Sequence, residues 1–169
     1  MNIIMSKQAI VLLFNEAEEL DKIRKEYSPD ADKFKPHLSL VYPFEVEDQK
    51  GLKEHIKKSL EGIYPFKLIM KGLGKSVKEF YLYLLVDQGM KEIMNLYDRL
   101  NSEILSEFEN PDMPKYIPHI TLGVFNSLEE IYEAKEKLKD LEYEVEVGSI
   151  QLLTLNEDDS IKEVENFSL

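Results

Sequence analysis

Apolar positions along this chain switch between two periods, and the switches outline its elements. From Gln8 to Phe14 they run almost unbroken, as in a buried strand. From Glu16 to Tyr27, Leu20, Ile23 and Tyr27 recur at helical spacing among charges, which predicts an amphipathic helix that Ser28-Pro29-Asp30 ends. A strand follows, bounded by Pro43. Asp48 to Gly62 carries Leu52, Ile56 and Leu60 on one helical face, with Gly62 at its end. Pro65 to Leu73 reads as a strand closed by Gly72-Leu73-Gly74. The order then starts again. Phe80 to Val86 is a strand, and Met90 to Phe108 is a long helix with Ile93, Leu96, Tyr97, Leu100, Ile104 and Leu105 on one face. Asn110 to Pro114 is a loop. A second strand of the bounded kind precedes a helix from Ser127 to about Leu141, with Ser127 and Glu130 placed as a capping box. Glu142 to Val147 alternates acid and apolar residues, Gly148 breaks or bulges it, and Ile150 to Leu155 continues as strand. After the turn at Asn156-Glu157-Asp158-Asp159, Ile161 to Phe167 closes the chain.

Strand, helix, strand, helix, strand therefore occurs twice, with one further strand. The pattern predicts a single bilobed α/β (α+β) domain over residues 1–169, with repeat-like halves at about 8–75 and 80–169. Its two pseudo-symmetric lobes would carry helices outside and meet at a central cleft. Periodicity alone leaves parallel and antiparallel sheets open.

The middle strand of each half carries the chemistry. The first reads Lys35-Pro36-His37-Leu38-Ser39-Leu40-Val41-Tyr42. The second, 82 positions downstream, reads Ile117-Pro118-His119-Ile120-Thr121-Leu122-Gly123-Val124. Side chains alternate faces along a strand, so His37 and Ser39 point one way while Leu38 and Leu40 point the other. His119 and Thr121 behave likewise against Ile120 and Leu122. Each strand presents an imidazole and a hydroxyl about 7 Å apart on the face opposite its aliphatic residues. Two such strands side by side make a pocket for a phosphate ester.

The paired His-x-[Ser/Thr]-x motifs resemble those of the two-histidine (2H) phosphoesterase superfamily, which includes the bacterial 2'-5' RNA ligases and 2',3'-cyclic phosphodiesterases. Their layout is similar to that of its small bacterial phosphoesterases. The resemblance implies mainly antiparallel sheets and a metal-independent enzyme acting on a 2',3'-cyclic phosphate or 2'-5' phosphodiester of RNA ends or small nucleotides. His37 and His119 would be the catalytic pair. Two imidazoles with pKa values near 6.5 can hold opposite protonation states at neutral pH and so supply both base and acid. Ser39 and Thr121 would donate to the non-bridging phosphate oxygens. A second reading is a nucleotide or RNA-end binding module without turnover, suggested by the acidic surface and scarce arginine.

Charge and composition narrow this further. A net charge of -12 argues against grip on nucleic-acid backbones, so a nucleotide or RNA end is expected and a DNA duplex is not. No acidic residue is embedded in either motif, so neither a metal nor another cofactor is expected. The chain has no cysteine, which excludes disulfides and a thiolate nucleophile. The apolar run from Ala9 to Phe14 is too short to span a bilayer, and a cytoplasmic monomer without a membrane partner is expected. Further candidate substrate contacts are Tyr42, Lys35 and Lys115 at the cleft rim, and Tyr81 with Tyr83, which share a strand face and can stack on a base. Lys75 and Lys78 flank a loop near the cleft. The third histidine, His55, reads as a surface residue of its helix. Glu142, Glu144 and Glu146 read as a solvated strand face. Both arginines, Arg24 and Arg99, fall in helices, which leaves the phosphate pocket without an assigned arginine.

Overall fold

A computed structural model describes residues 5–76, 78–108 and 115–169. The expected loop at 110–114 lies outside the described residues. The elements are β1 (Lys7–Leu13), α1 (Glu18–Tyr27), β2 (His37–Glu45), α2 (Gln49–Ser59), β3 (Phe66–Lys75), β4 (Tyr81–Gln88), α3 (Met90–Leu100), a 3₁₀ helix (Glu103–Phe108), β5 (His119–Val124), α4 (Leu128–Lys137), β6 (Glu142–Val147), β7 (Ser149–Leu155) and β8 (Ile161–Ser168). The strands form one sheet in the order β6-β3-β4-β5-β2-β1-β7-β8, and every neighbouring pair is antiparallel. The two histidine strands, β2 and β5, lie at its centre. Each lobe has four strands, and the halves exchange strands: β3 joins the second lobe, while β7 and β8 join the first. β3 of the first half pairs with β4 and β6, while β7 of the second pairs with β1. Gly148 is therefore a crossing from one lobe to the other, not a bulge within one strand.

Alternation decides which face is buried. Leu38 and Leu40 on β2, and Ile120 and Leu122 on β5, are fully buried, as are Leu82 and Leu84 on β4. They pack with Leu20 of α1, Leu52 and Ile56 of α2, Ile93, Leu96 and Leu100 of α3, and Ile131 of α4 in one large apolar cluster. Each such side chain is worth about 1.5–3 kcal/mol of burial. His37, Ser39, His119 and Thr121 are all half-buried on the other face.

The ladder between β2 and β5 is very short, with Leu38 opposite Ile120. Two residues further along β2, Leu40 would meet Pro118, which has no N–H to donate. Side chains from elsewhere take up the carbonyls there. Tyr116 Oη donates to Ser39 O (2.6 Å) and Asn101 Nδ2 to Leu40 O (2.9 Å). The same Asn101 Nδ2 donates to Tyr97 O (2.8 Å). Asn101 and the left-handed Glu103 (φ 49°) divide the expected helix Met90 to Phe108 into α3 and the 3₁₀ helix.

His55 is buried, at 6% exposure, and corrects the surface reading. Leu52, His55, Ile56 and Ser59 share the inward face of α2 at helical spacing. His55 Nε2 lies 2.8 Å from Leu100 O, and Ser59 Oγ donates to His55 O (2.8 Å) and Arg99 O (3.2 Å). This polar seam joins α2 to the end of α3. Asp48 and Ser127 cap α2 and α4 through Gly51 N and Glu130 N, and Glu130 Oε2 accepts from Asn126 N (2.9 Å).

Helix α1 approaches β5 at a glycine. A Cβ on Gly123 would sit 2.5 Å from Tyr27 Cβ and 3.0 Å from Tyr27 O. Gly123→Ala is expected to cost about 1–3 kcal/mol, because the helix end must back away from the strand. Urea unfolding reads this directly, and an unchanged midpoint would show that α1 yields freely.

Candidate active site

The pairing of Leu38 with Ile120 places His37 across from Thr121 and Ser39 across from His119. Cross-strand neighbours of this kind have Cβ atoms about 5 Å apart. The four groups thus form a compact quartet, each hydroxyl facing the other strand's imidazole. His119 lies close enough for its charge to depress the pKa of His37.

Both rings are held by the same device. His37 Nδ1 lies 2.9 Å from Lys35 O, and His119 Nδ1 lies 2.7 Å from Ile117 O. A carbonyl only accepts, so in each neutral ring Nδ1 carries the proton and Nε2 is the free nitrogen. The intervening prolines explain how: a residue before proline is pushed into extended backbone, which aims its carbonyl at the ring two positions on. Proline and histidine are therefore one structural unit.

Burial favours the uncharged ring in both cases. The pKa of His37 is pushed down to about 4, chiefly by burial and further by the charges of Arg24 and His119, while the Lys35 carbonyl opposes the shift. That of His119 is also lowered by burial, against the pull of the Ile117 carbonyl.

Aromatic rings line the quartet. Tyr83 lies against His119, with ring centroids 3.9 Å apart, and Tyr81 stacks on Tyr83 at 6.3 Å. Phe34 lies 5.1 Å from His37. Simple alternation would turn Tyr42 away from Ser39. However, the register of β1 on β2 shifts between Val11↔Ser39 and Ile10↔Val41, inserting one extra residue. Leu40 and Val41 are both buried as a result, and Tyr42 is half-buried within electrostatic reach of Tyr97 and Tyr83.

The basic residues are placed less uniformly. Lys35 Nζ pairs with Asp21 (3.4 Å) and is exposed, so it is tied to α1. Lys115, Lys75 and Lys78 are exposed near the segments that border the site. Arg24 is buried, and its Nη1 donates to Phe34 O (2.7 Å) behind His37. Sequence reasoning missed Phe34, Arg24 and Tyr116. Only Tyr116 carried a signal, lying two residues before Pro118 at the start of the motif strand. Glu142 and Glu144 pair with Lys71 (3.7 Å) and Lys67 (2.8 Å) on β3, on an exposed strand face as expected. Among the described residues, no three His, Asp or Glu side chains gather in a set that could hold a metal ion, and no helix is long and apolar enough to cross a membrane.

Fold and quartet together define an α+β protein with two motif strands paired at the centre of one antiparallel sheet. The profile of the 2'-5' RNA ligase superfamily matches residues 14–159, and the chain belongs to that family. A protein of Halalkalibacterium halodurans, named provisionally as a phosphoesterase, is 27% identical over 155 residues, covering 86% of each chain. A Staphylococcus haemolyticus protein with the same provisional name is 26% identical over 160 residues, covering 90% of this chain and 91% of the other. Among solved structures, Escherichia coli LigT complexed with 3'-AMP superposes with a TM-score of 0.64 at 16% identity, covering 98% of this chain and 96% of LigT. LigT has also been solved with NADP+ and with ATP. A protein of Thermus thermophilus gives a TM-score of 0.64 at 17% identity, covering 96% of this chain and 97% of the other.

Proposed function

We propose that the protein opens 2',3'-cyclic phosphates, or cleaves 2'-5' phosphodiesters, at RNA ends or on small nucleotides, with His37 and His119 as base and acid and without a metal. The observation that carries this reading is the pair of imidazoles with Nε2 free, each facing a hydroxyl of the adjacent strand. In-line displacement at phosphorus needs a base on the attacking side and an acid on the leaving side. One imidazole takes a proton from the attacking hydroxyl or water through Nε2. The other, protonated, gives one to the departing oxygen. Ser39 and Thr121 donate to the non-bridging oxygens, where charge grows. Tyr81 and Tyr83 lie on the same face, where a base can stack. The nucleotides bound in the LigT structures support a nucleotide as the substrate.

The test is hydrolysis of 2',3'-cyclic nucleotides by purified protein in excess chelator. Turnover is expected there. Tight nucleotide binding with no turnover across cyclic and linear diesters would instead make the protein a binding module. Ser39→Ala and Thr121→Ala are each expected to lower kcat by about 10²–10³-fold, the range for removing one transition-state donor. Their KM values should change far less, because the donors act on charge that develops only in the reaction. Equal losses in kcat and binding would make them ground-state contacts.

A further inference from the structure

The two sides of the quartet are built differently. On the first lobe, Val11 pairs with Ser39 and Leu13 with His37, so Val11 and Leu13 share the histidine face. Ala9 opposite Leu153 carries that face onto β7. Yet Val11 is 2% exposed and Leu153 0%, so this face is covered. Phe34 and Ile161 pack on Val11, Leu153 and Leu155, and Phe34 also meets the ring of His37. The Arg24 bond to Phe34 O anchors that loop. On the second lobe, the equivalent face carries Tyr81, Tyr83 and Leu85, all half-buried, and Leu85 lies over Gly74, where a Cβ would sit 3.2 Å from Leu85 Cδ1. An apolar residue from a loop covers the first side, and half-exposed tyrosines on a strand line the second.

We infer that the site takes a nucleoside on the Tyr81–Tyr83 side alone, while Phe34 closes the His37 side, so that the phosphoryl acceptor is water and the protein is a hydrolase, not a ligase. This rests on the proposed cyclic-phosphate chemistry. The asymmetry also assigns the roles that pseudo-symmetry leaves open. The ribose lies beside His119, whose Nε2 proton goes to the departing ribose oxygen. Water lies beside His37 and gives its proton to Nε2 there. One bond forms between water oxygen and phosphorus, one ribose oxygen–phosphorus bond breaks, and one proton crosses the pair. No other reactant is needed.

The experiment is a partition. The protein is incubated in chelator with a 2',3'-cyclic nucleotide and a nucleoside bearing a free 5'-hydroxyl, and hydrolysis and transfer products are separated by mass. Wild type should yield the phosphomonoester alone. Phe34→Ala should raise transfer to the nucleoside by about tenfold or more, the scale of discrimination a filled pocket supplies. Phe34→Leu, which keeps an apolar cover over Val11 and Leu153, should fall between and guards against misfolding of the first variant. Tyr83→Ala should weaken nucleotide binding about tenfold through lost stacking, without altering the partition. Wild-type transfer that rivals hydrolysis, or a partition indifferent to Phe34, would overturn the inference. If no variant opens a cyclic nucleotide, the proposed chemistry fails and the water assignment falls with it. Binding of 3'-AMP then decides the one-sided site: loss in Tyr83→Ala but not in Phe34→Ala sustains it, and equal loss in both overturns it.

Discussion

His37→Ala and His119→Ala are each expected to lower kcat/KM on a 2',3'-cyclic nucleotide by about 10³–10⁴-fold, the upper range for loss of one positioned proton transfer. The two imidazoles do different jobs in one step, so removing either stops the concerted exchange. The double variant should therefore be scarcely worse than the singles. Both variants should stay folded. Each ring is half-buried at the first position of its strand, and truncation forfeits one hydrogen bond to a carbonyl, worth about 1 kcal/mol. His55→Ala is the internal control. It removes the partner of the Leu100 carbonyl from the α2–α3 seam, so it should lower the unfolding midpoint while kcat stays near wild type. Steady-state kinetics beside thermal melts separates the cases. Wild-type activity in either single site variant would end the two-histidine mechanism.

How far the sequence foretold this arrangement depends on how local the signal was. The faces of His37, Ser39, His119 and Thr121 were legible because a strand has period two and each motif alternates from its histidine through its hydroxyl residue. Helix starts were legible at Asp48 and Ser127 because a cap is a contact over three residues. Strand order was not legible. That β3 pairs with β6 and β7 with β1 is a long-range choice, and no residue type along Phe66–Lys75 specifies that distant partner. Tyr42 shows the same gap on a smaller scale, since the extra residue in β2 is defined only by register against β1. Asn101 interrupts a good helical pattern because its amide bonds Leu40 O across the fold. Phe34 carried no local signal, because its place beside His37 depends on an apolar cluster assembled from β1, β7 and β8. His55 was misplaced because its charged neighbours outweighed its spacing from Leu52.

The largest effect of solution conditions should appear in the pH dependence. In the free protein both imidazoles are biased toward the neutral form, His37 titrating at about 4 and His119 below its ordinary value. The productive form needs one ring neutral and one protonated. It is therefore populated between the two titrations, and kcat/KM should be bell-shaped with both limbs below about 6.5, the unperturbed histidine value. The limbs belong to the coupled pair, not to either ring alone. Above the upper limb the rate should fall about tenfold per pH unit, so activity at pH 8 should lie well over tenfold below the optimum. Bound substrate reverses the bias. An anionic phosphate between the rings favours imidazolium, so the limbs of kcat should lie at higher pH than those of kcat/KM. The acid side needs a stability control. Between about 6.5 and about 4 the unfolded chain takes up a proton at His37 that the folded chain resists, so stability falls as pH falls through that window. Circular dichroism at each assay pH separates loss of fold from loss of the base. An upper limb of kcat/KM at or above pH 7, with the fold intact throughout, would show that burial does not hold the protonated imidazole below the ordinary histidine value.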